Sequence, residues 1–117
     1  MGDLSIYVNP QCSKCRTAQG LLAEHGLEAD VVSYLDAPPS VAQLGVLMAQ
    51  LGITDPRQMM RTGEAAYATL GLAEQHGDDL LDAVAAHPIL LERPIVVHDG
   101  RAVIARPPER VWELLSP

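Results

Sequence analysis

A strand, a break and a helix that opens on a cysteine, all within residues 4–26, leave this chain few folds to choose from. Leu4 to Val8 is a short apolar run that predicts a strand. Asn9-Pro10 ends it, because the residue before a proline is pushed out of the helical region. Cys12 and Cys15, the two cysteines of the chain, follow three residues apart. Cys15, Ala18, Leu21, Leu22 and His25 then recur at helical spacing over 13–25, and Gly26 stands where a helix should stop. Cys12 is thus expected at the mouth of a helix, where unpaired N–H groups and the positive end of the dipole favour a thiolate. Lys14 and Arg16 add positive charge nearby, as at reactive, low-pKa thiols.

A metal clip and a pair of inert core thiols are the competing readings. Zinc takes four ligands, so one C-x-x-C would have to recruit two of His25, His76, His87 and His98. None of these forms an H-x-H or H-x3-H pair, so no metal is expected. Buried cysteine is often harmless, which keeps the second alternative open, above all for Cys15. The rest of the sequence bears on compartment and partners. At 117 residues a single domain spanning 1–117 is expected. Met1-Gly2-Asp3-Leu4 lacks the basic and apolar regions of a signal peptide, and no run approaches a membrane span. A cytoplasmic, reducing setting is therefore predicted, where a C-x-x-C is catalytic rather than structural. A net charge of −7 argues against nucleic acid as a partner, and Trp112, Tyr7, Tyr34 and Tyr67 are too few for base stacking. Against that acidic background seven of the eight basic residues are arginines, with Lys14 the exception. The planar guanidinium fork suits bidentate recognition of an oxyanion.

Taken in order, the chain predicts a second strand over 28–35, which completes a right-handed βαβ unit with the first strand and helix. Ser40-Val41-Ala42-Gln43 is a capping box for a helix ending at Gly52, and Asp55-Pro56 starts a shorter helical piece that should end at Arg61. Further helices are predicted over 64–70 and from Asp79 to His87-Pro88. Runs over 94–98 and 101–106 flank Asp99-Gly100, a strong hairpin signal, and a last helix follows Arg106-Pro107-Pro108. Strand, helix, strand, then helices, then two strands and a helix is the thioredoxin-like order. The fold class expected is therefore α/β, a four-stranded mixed sheet with a helical insertion over about 40–87. Folds of this kind place a proline before the third strand, so a cis bond is expected at Arg93–Pro94.

Asn9-Pro10-Gln11-Cys12-Ser13-Lys14, Glu92-Arg93-Pro94-Ile95-Val96-Val97 and Arg106-Pro107-Pro108-Glu109 resemble the signatures of the ArsC-type, glutaredoxin-linked arsenate reductases. Tyr34-Leu35, Leu51-Gly52-Ile53, Leu70-Gly71-Leu72-Ala73 and His87-Pro88-Ile89-Leu90 extend the resemblance nearly end to end. It implies Cys12 as the catalytic nucleophile, and Arg61, Arg93 and Arg106 as the residues that bind arsenate. It further implies glutathione as co-substrate, glutaredoxin or thioredoxin as the recycling partner, and no tightly bound cofactor. Three guanidinium groups would also suit a tetrahedral oxyanion on chemical grounds. Residue type alone allows plainer roles: Arg61 as a charge at a helix end, Arg93 as a surface charge, Arg106 as a solvated strand end. Arg16, Arg57, Arg101 and Arg110 are expected to be solvated or ion-paired, and no histidine is given a role.

Two positions depart from the resemblance. Val8 stands where many such reductases carry histidine, and Cys15 stands where the well-known ones have no cysteine. Cys15 could act as a resolving thiol for Cys12. A C-x-x-C at this place is similar to the Spx-type redox regulators that bind RNA polymerase, which lack the Arg-Pro-Pro-Glu signature. The function expected is reduction of arsenate to arsenite by Cys12. The alternatives are a thiol–disulfide oxidoreductase without arsenate activity and an Spx-like regulator.

Overall fold

The computed structural model describes residues 4–8 and 13–115, the side chains of Ser13, Lys14 and Leu115 excepted; Asn9, Pro10, Gln11 and Cys12 lie outside the described residues. In chain order the elements are β1 (Leu4–Val8), α1 (Ser13–Glu24), β2 (Asp30–Ser33), α2 (Val41–Leu51), α3 (Ala65–Thr69), α4 (Asp78–Ala86), β3 (Ile95–His98), β4 (Arg101–Ile104) and α5 (Val111–Leu115). Short 3₁₀ turns lie at Pro56–Met59, Leu72–Glu74, Pro88–Leu90 and Pro108–Arg110. Two compact units result, one of Met1–Ala37 with Arg93–Pro117 and one of Pro38–Glu92. The insertion expected over 40–87 falls within the second. No helix among the described residues is long and apolar enough to cross a membrane.

The first unit is built on a sheet of order β2-β1-β3-β4, with β1 parallel to β2 and antiparallel to β3. It is the mixed four-stranded sheet expected from the element order. Along β1 the side chains alternate, with Leu4, Ile6 and Val8 buried and Ser5 and Tyr7 half-buried. Val96 and Val103 extend the buried row across β3 and β4. Cys15, Ala18 and Leu22 of α1, with Val111 and Leu114 of α5, close over it. Gly26, in the left-handed region at φ 70, ends α1 as anticipated, and Leu27 N–H donates back to the Leu22 carbonyl at 2.9 Å. Asp99 and Gly100 both have positive φ, 51 and 78, as a two-residue hairpin turn requires.

Strand β2 is shorter than the predicted 28–35. The Ser33 carbonyl accepts from the N–H groups of Asp36 and Ala37, both at 3.0 Å, so the chain turns and Tyr34 is buried in that turn. Local closure by Ser33 and Asp36 overrides the β-propensity of the tyrosine.

In the second unit Ser40 and Gln43 form the expected capping box, with Gln43 N–H donating to Ser40 Oγ at 3.1 Å and Ser40 N–H to Gln43 Oε1 at 2.8 Å. Helix α2 packs Leu44 and Leu47 against α4, which buries Leu80, Leu81 and Val84. Helix α4 begins one residue before the predicted Asp79. No acidic side chain caps it; the Gly77 carbonyl, at φ 54, receives Leu80 N–H at 3.0 Å. Met60 and Leu91 form an isolated antiparallel bridge that ties the middle of the unit to its last residues.

Candidate active site

The end of the sheet from which β1 leads toward α1 carries two of the four predicted site residues. Because β3 runs antiparallel to β1, its start lies beside the end of β1, with Ile95 opposite Tyr7. Ile95 also pairs with Ile104 of β4, and one step further Ala105 N–H donates to the Pro94 carbonyl at 2.8 Å. Arg93 and Arg106 therefore come together just beyond the paired strands, thirteen residues apart in sequence. The Arg106 Nη1–H donates to the Arg93 carbonyl at 3.0 Å. Nε and Nη1 of Arg93 are shielded from solvent, and Arg106 is half-buried. Neither is the fully solvated charge that its residue type alone allowed. The Arg93–Pro94 bond is cis, as expected, and so is Arg106–Pro107, which the sequence reading did not single out. Two residues past Arg106 the Pro108–Arg110 turn packs on α1, the helix that begins directly after Cys12 in sequence. Cys12 itself, and the side chain of Lys14, fall outside the description.

Cys15 is described. It is 1% exposed, within the apolar cluster between the sheet, α1 and α5. Burial at this position is compatible both with the resolving role and with the inert core packing that the sequence leaves open for Cys15.

Arg61 belongs to the second unit and does not end a helical piece. The 3₁₀ turn stops at Met59, because Met60 is drawn into its bridge with Leu91. Arg61 follows, its N–H donating to the Leu90 carbonyl at 2.6 Å. Its Nε–H donates to Glu64 Oε2 at 3.1 Å, and its Nη1 and Nη2 have no hydrogen-bond partner among the described residues. Glu64 was not singled out from the sequence, although Arg61 and Glu64 at i, i+3 is a signal that could have found it.

Arg57 is ion-paired with Asp55 at 3.7 Å, as anticipated, and it makes further bonds that the sequence did not indicate. Its Nε–H donates to Tyr67 Oη at 2.9 Å, and its Nη2 donates to the carbonyls of Leu72 at 2.9 Å, Ala73 at 3.1 Å and Gln75 at 2.5 Å. Arg101 also has a specific partner, its Nη2–H donating to the Leu114 carbonyl of α5 at 3.1 Å. Arg110 pairs with Glu113, and Arg16 is exposed, both as anticipated. Among the histidines, the His25 ring lies 4.5 Å from that of Trp112 at 60°, and its Nδ1 bonds the Leu21 carbonyl at 3.1 Å. Tyr7, half-covered on β1, has its phenol pushed above the usual value by burial. Among the described residues no group of three or more His, Cys, Asp or Glu could hold a metal ion.

A mixed sheet of this order, with a helix after the first strand and a cis-proline before the third, defines a thioredoxin-like α/β protein. Residues 7–114 match the ArsC family, and the chain belongs to that family. It is 44% identical over 117 residues to an arsenate reductase of Neisseria meningitidis serogroup A, covering 98% of this chain and 100% of that one. A protein of Escherichia coli (strain K12) named "Uncharacterized protein YfgD" is equally similar, at 44% over 116 residues, 97% of this chain and 98% of that one. The solved structure of an arsenate reductase from Vibrio cholerae superposes with a TM-score of 0.90 at 47% identity, covering 94% of this chain and 95% of that one.

Proposed function

We propose that this protein is an enzyme that reduces arsenate to arsenite, with Cys12 as the nucleophile. The observation that carries the reading is the pairing of Arg93 and Arg106 at the sheet end from which β1 leads toward Cys12 and α1. Similarity over 94–98% of this chain to proteins named arsenate reductase supports arsenate as the substrate. In this reading Arg61, Arg93 and Arg106 bind the oxyanion, hold the Cys12 sulfur ionised and stabilise charge that develops as it attacks arsenic. Attack expels water and leaves arsenic bonded to sulfur. The two electrons that take arsenic from the +5 to the +3 state come from two thiols, which end as one disulfide. Glutathione is proposed as the small thiol, and glutaredoxin or thioredoxin as the partner that recycles the protein in a reducing cytoplasm. No tightly bound cofactor takes part.

Cys15 is proposed to resolve an adduct on Cys12. Cys12 stands three residues before Cys15 in the sequence, a spacing that would allow the two sulfurs to meet after small adjustment, and a covered thiol suits the resolving role. Intact mass after mild oxidation tests it: two hydrogens lost from the wild type but not from Cys15→Ser. A stable glutathione adduct on wild-type Cys12 would instead make Cys15 core packing only.

The test of the whole reading is arsenate-dependent NADPH oxidation in an assay coupled through glutathione and glutaredoxin, repeated with thioredoxin. Turnover that vanishes in Cys12→Ser is expected. Inactivity toward arsenate with reduction of a model disulfide would replace the proposal by a thiol–disulfide oxidoreductase. Co-purification with RNA polymerase and no turnover would favour an Spx-like regulator.

A further inference from the structure

From the contacts of Arg61 we infer that Glu64 is a positioning residue, which fixes the Arg61 guanidinium so that its two terminal nitrogens are left for the oxyanion. The inference rests on the reading that Arg61 binds arsenate and assigns a role to a carboxylate outside that set. A guanidinium can grip an oxyanion through its Nε–Nη edge or end-on through its two Nη groups. Glu64 Oε2 accepts from Arg61 Nε at 3.1 Å, which closes the first edge. Nη1 and Nη2 have no hydrogen-bond partner among the described residues, so the end-on edge remains.

The backbone is arranged to hold this geometry. Arg61 N–H is anchored on the Leu90 carbonyl at 2.6 Å, and Glu64 N–H donates to the Arg61 carbonyl at 3.1 Å, so both side chains spring from one closed turn. Glu64 also stands at the N-cap of α3, where a carboxylate would ordinarily bond the first N–H groups, yet it makes no capping bond. Its carboxylate is committed to Arg61 instead. With the side chains 24% and 28% exposed, such a pair adds little to stability, so its effect should appear in orientation. An electrostatic role makes the opposite forecast: removing a negative charge beside an anion site would tighten binding.

The experiment compares Glu64→Ala, Glu64→Gln, Arg61→Ala and the double variant Arg61→Ala/Glu64→Ala. Three quantities are read: arsenate KM, kcat, and the rise in melting temperature that arsenate produces without reductant. Glu64→Ala is expected to raise KM about fivefold or more with kcat within about twofold, and to weaken the arsenate-induced thermal shift. Glu64→Gln, which keeps an acceptor for Nε, should stay within about twofold of wild type, and Glu64→Ala should add nothing once Arg61 is gone. The inference is overturned if Arg61→Ala raises KM while Glu64→Ala leaves it unchanged or lowers it. It is equally overturned if the two effects add fully, or if both Glu64 variants lose activity together with unliganded melting temperature. A harmless Arg61→Ala would instead sink the reading of Arg61 as an arsenate ligand, and the role of Glu64 with it.

Discussion

The two units of this protein are held by different forces. In the first, paired strands satisfy most backbone groups, and the buried row of Leu4, Ile6, Val8, Val96 and Val103 supplies an apolar core with α1 and α5. In the second, α2 and α4 pack in a comparable way, but the stretch from Asp55 to Gln75 is a succession of short turns and one five-residue helix. Such pieces leave carbonyls without partners, and an unpaired, covered carbonyl is costly. Arg57 meets that need, placing one guanidinium against three carbonyls and a phenol. Arg61, four residues on, engages a single nitrogen. The same residue type therefore serves as a tie in one place and as a candidate ligand in another. What separates them is how many N–H groups the fold itself consumes.

The largest effect that would probe this contrast is in the first unit. Ile6 is fully buried, and Ile6→Ala should lower unfolding free energy by about 3–4 kcal/mol, as measured by urea denaturation. A loss below about 1 kcal/mol would mean that the sheet is not carried by that core. Arg57→Ala should cost about 2–3 kcal/mol, since several bonds to a charged donor are lost at once. Its mark is local: amide exchange should speed up at Leu72 to Gln75 while β1 and β3 keep their protection. Arg57→Lys should recover only part, because a point charge cannot reach all four acceptors. Uniform loss of protection throughout the chain would erase the distinction between the units.

For activity, Arg106→Ala is expected to lower kcat/KM for arsenate more than tenfold, from about 1.5–3 kcal/mol of lost charge-assisted contact. Arg16→Ala and Arg110→Ala, with exposed side chains or a surface pair, serve as controls and should stay within about twofold. Arg57 and Arg101 are unsuitable controls, because both hold backbone carbonyls. Equal losses at Arg16 and Arg106 would remove any specific role for the latter. The smallest effect concerns Tyr7, whose phenol is raised by burial. A raised folded pKa gives stability that is present below the unfolded value near 10 and is lost as pH climbs through the folded value. Stability should accordingly fall above pH of about 10, and Tyr7→Phe should flatten that fall, as followed by denaturation midpoints across the alkaline range.

Much of the molecule could be read before its structure was known, where the signal was local. Asp99-Gly100 demanded a turn with two positive φ values, and Ser40 and Gln43 formed the capping box their spacing announced. The thioredoxin-like order of strands followed from the order of apolar runs. Other features misled because a hydrogen bond or bridge that residue type does not announce decided them. The helical start at Pro56 was real, but its end was set by the bridge of Met60 to Leu91, thirty-one residues away in sequence. Tyr34 had strand propensity, yet the Ser33 carbonyl closed a turn around it. Arg57 was expected to be solvated or ion-paired and no more, because nothing in its neighbours' identity says that the carbonyls of 72, 73 and 75 will face it.

The candidate set Cys12, Arg61, Arg93 and Arg106 is what the family resemblance implies; the sequence by itself determined the alternating burial of β1, the helix stops at Gly26 and Gly52, and the hairpin. Each depends on residue type and short spacing, which fix local dihedral preference and which face is apolar. Only the tertiary structure decided what the arginines are doing. Arg93 and Arg106 meet because antiparallel pairing of β3 with β4 brings their ends together, and Arg57 and Arg61 diverge because distant carbonyls reach Arg57 while Arg61 Nε meets the nearby Glu64. A guanidinium carries the same five donors wherever it stands, so its role depends on which acceptors the folded chain brings to it.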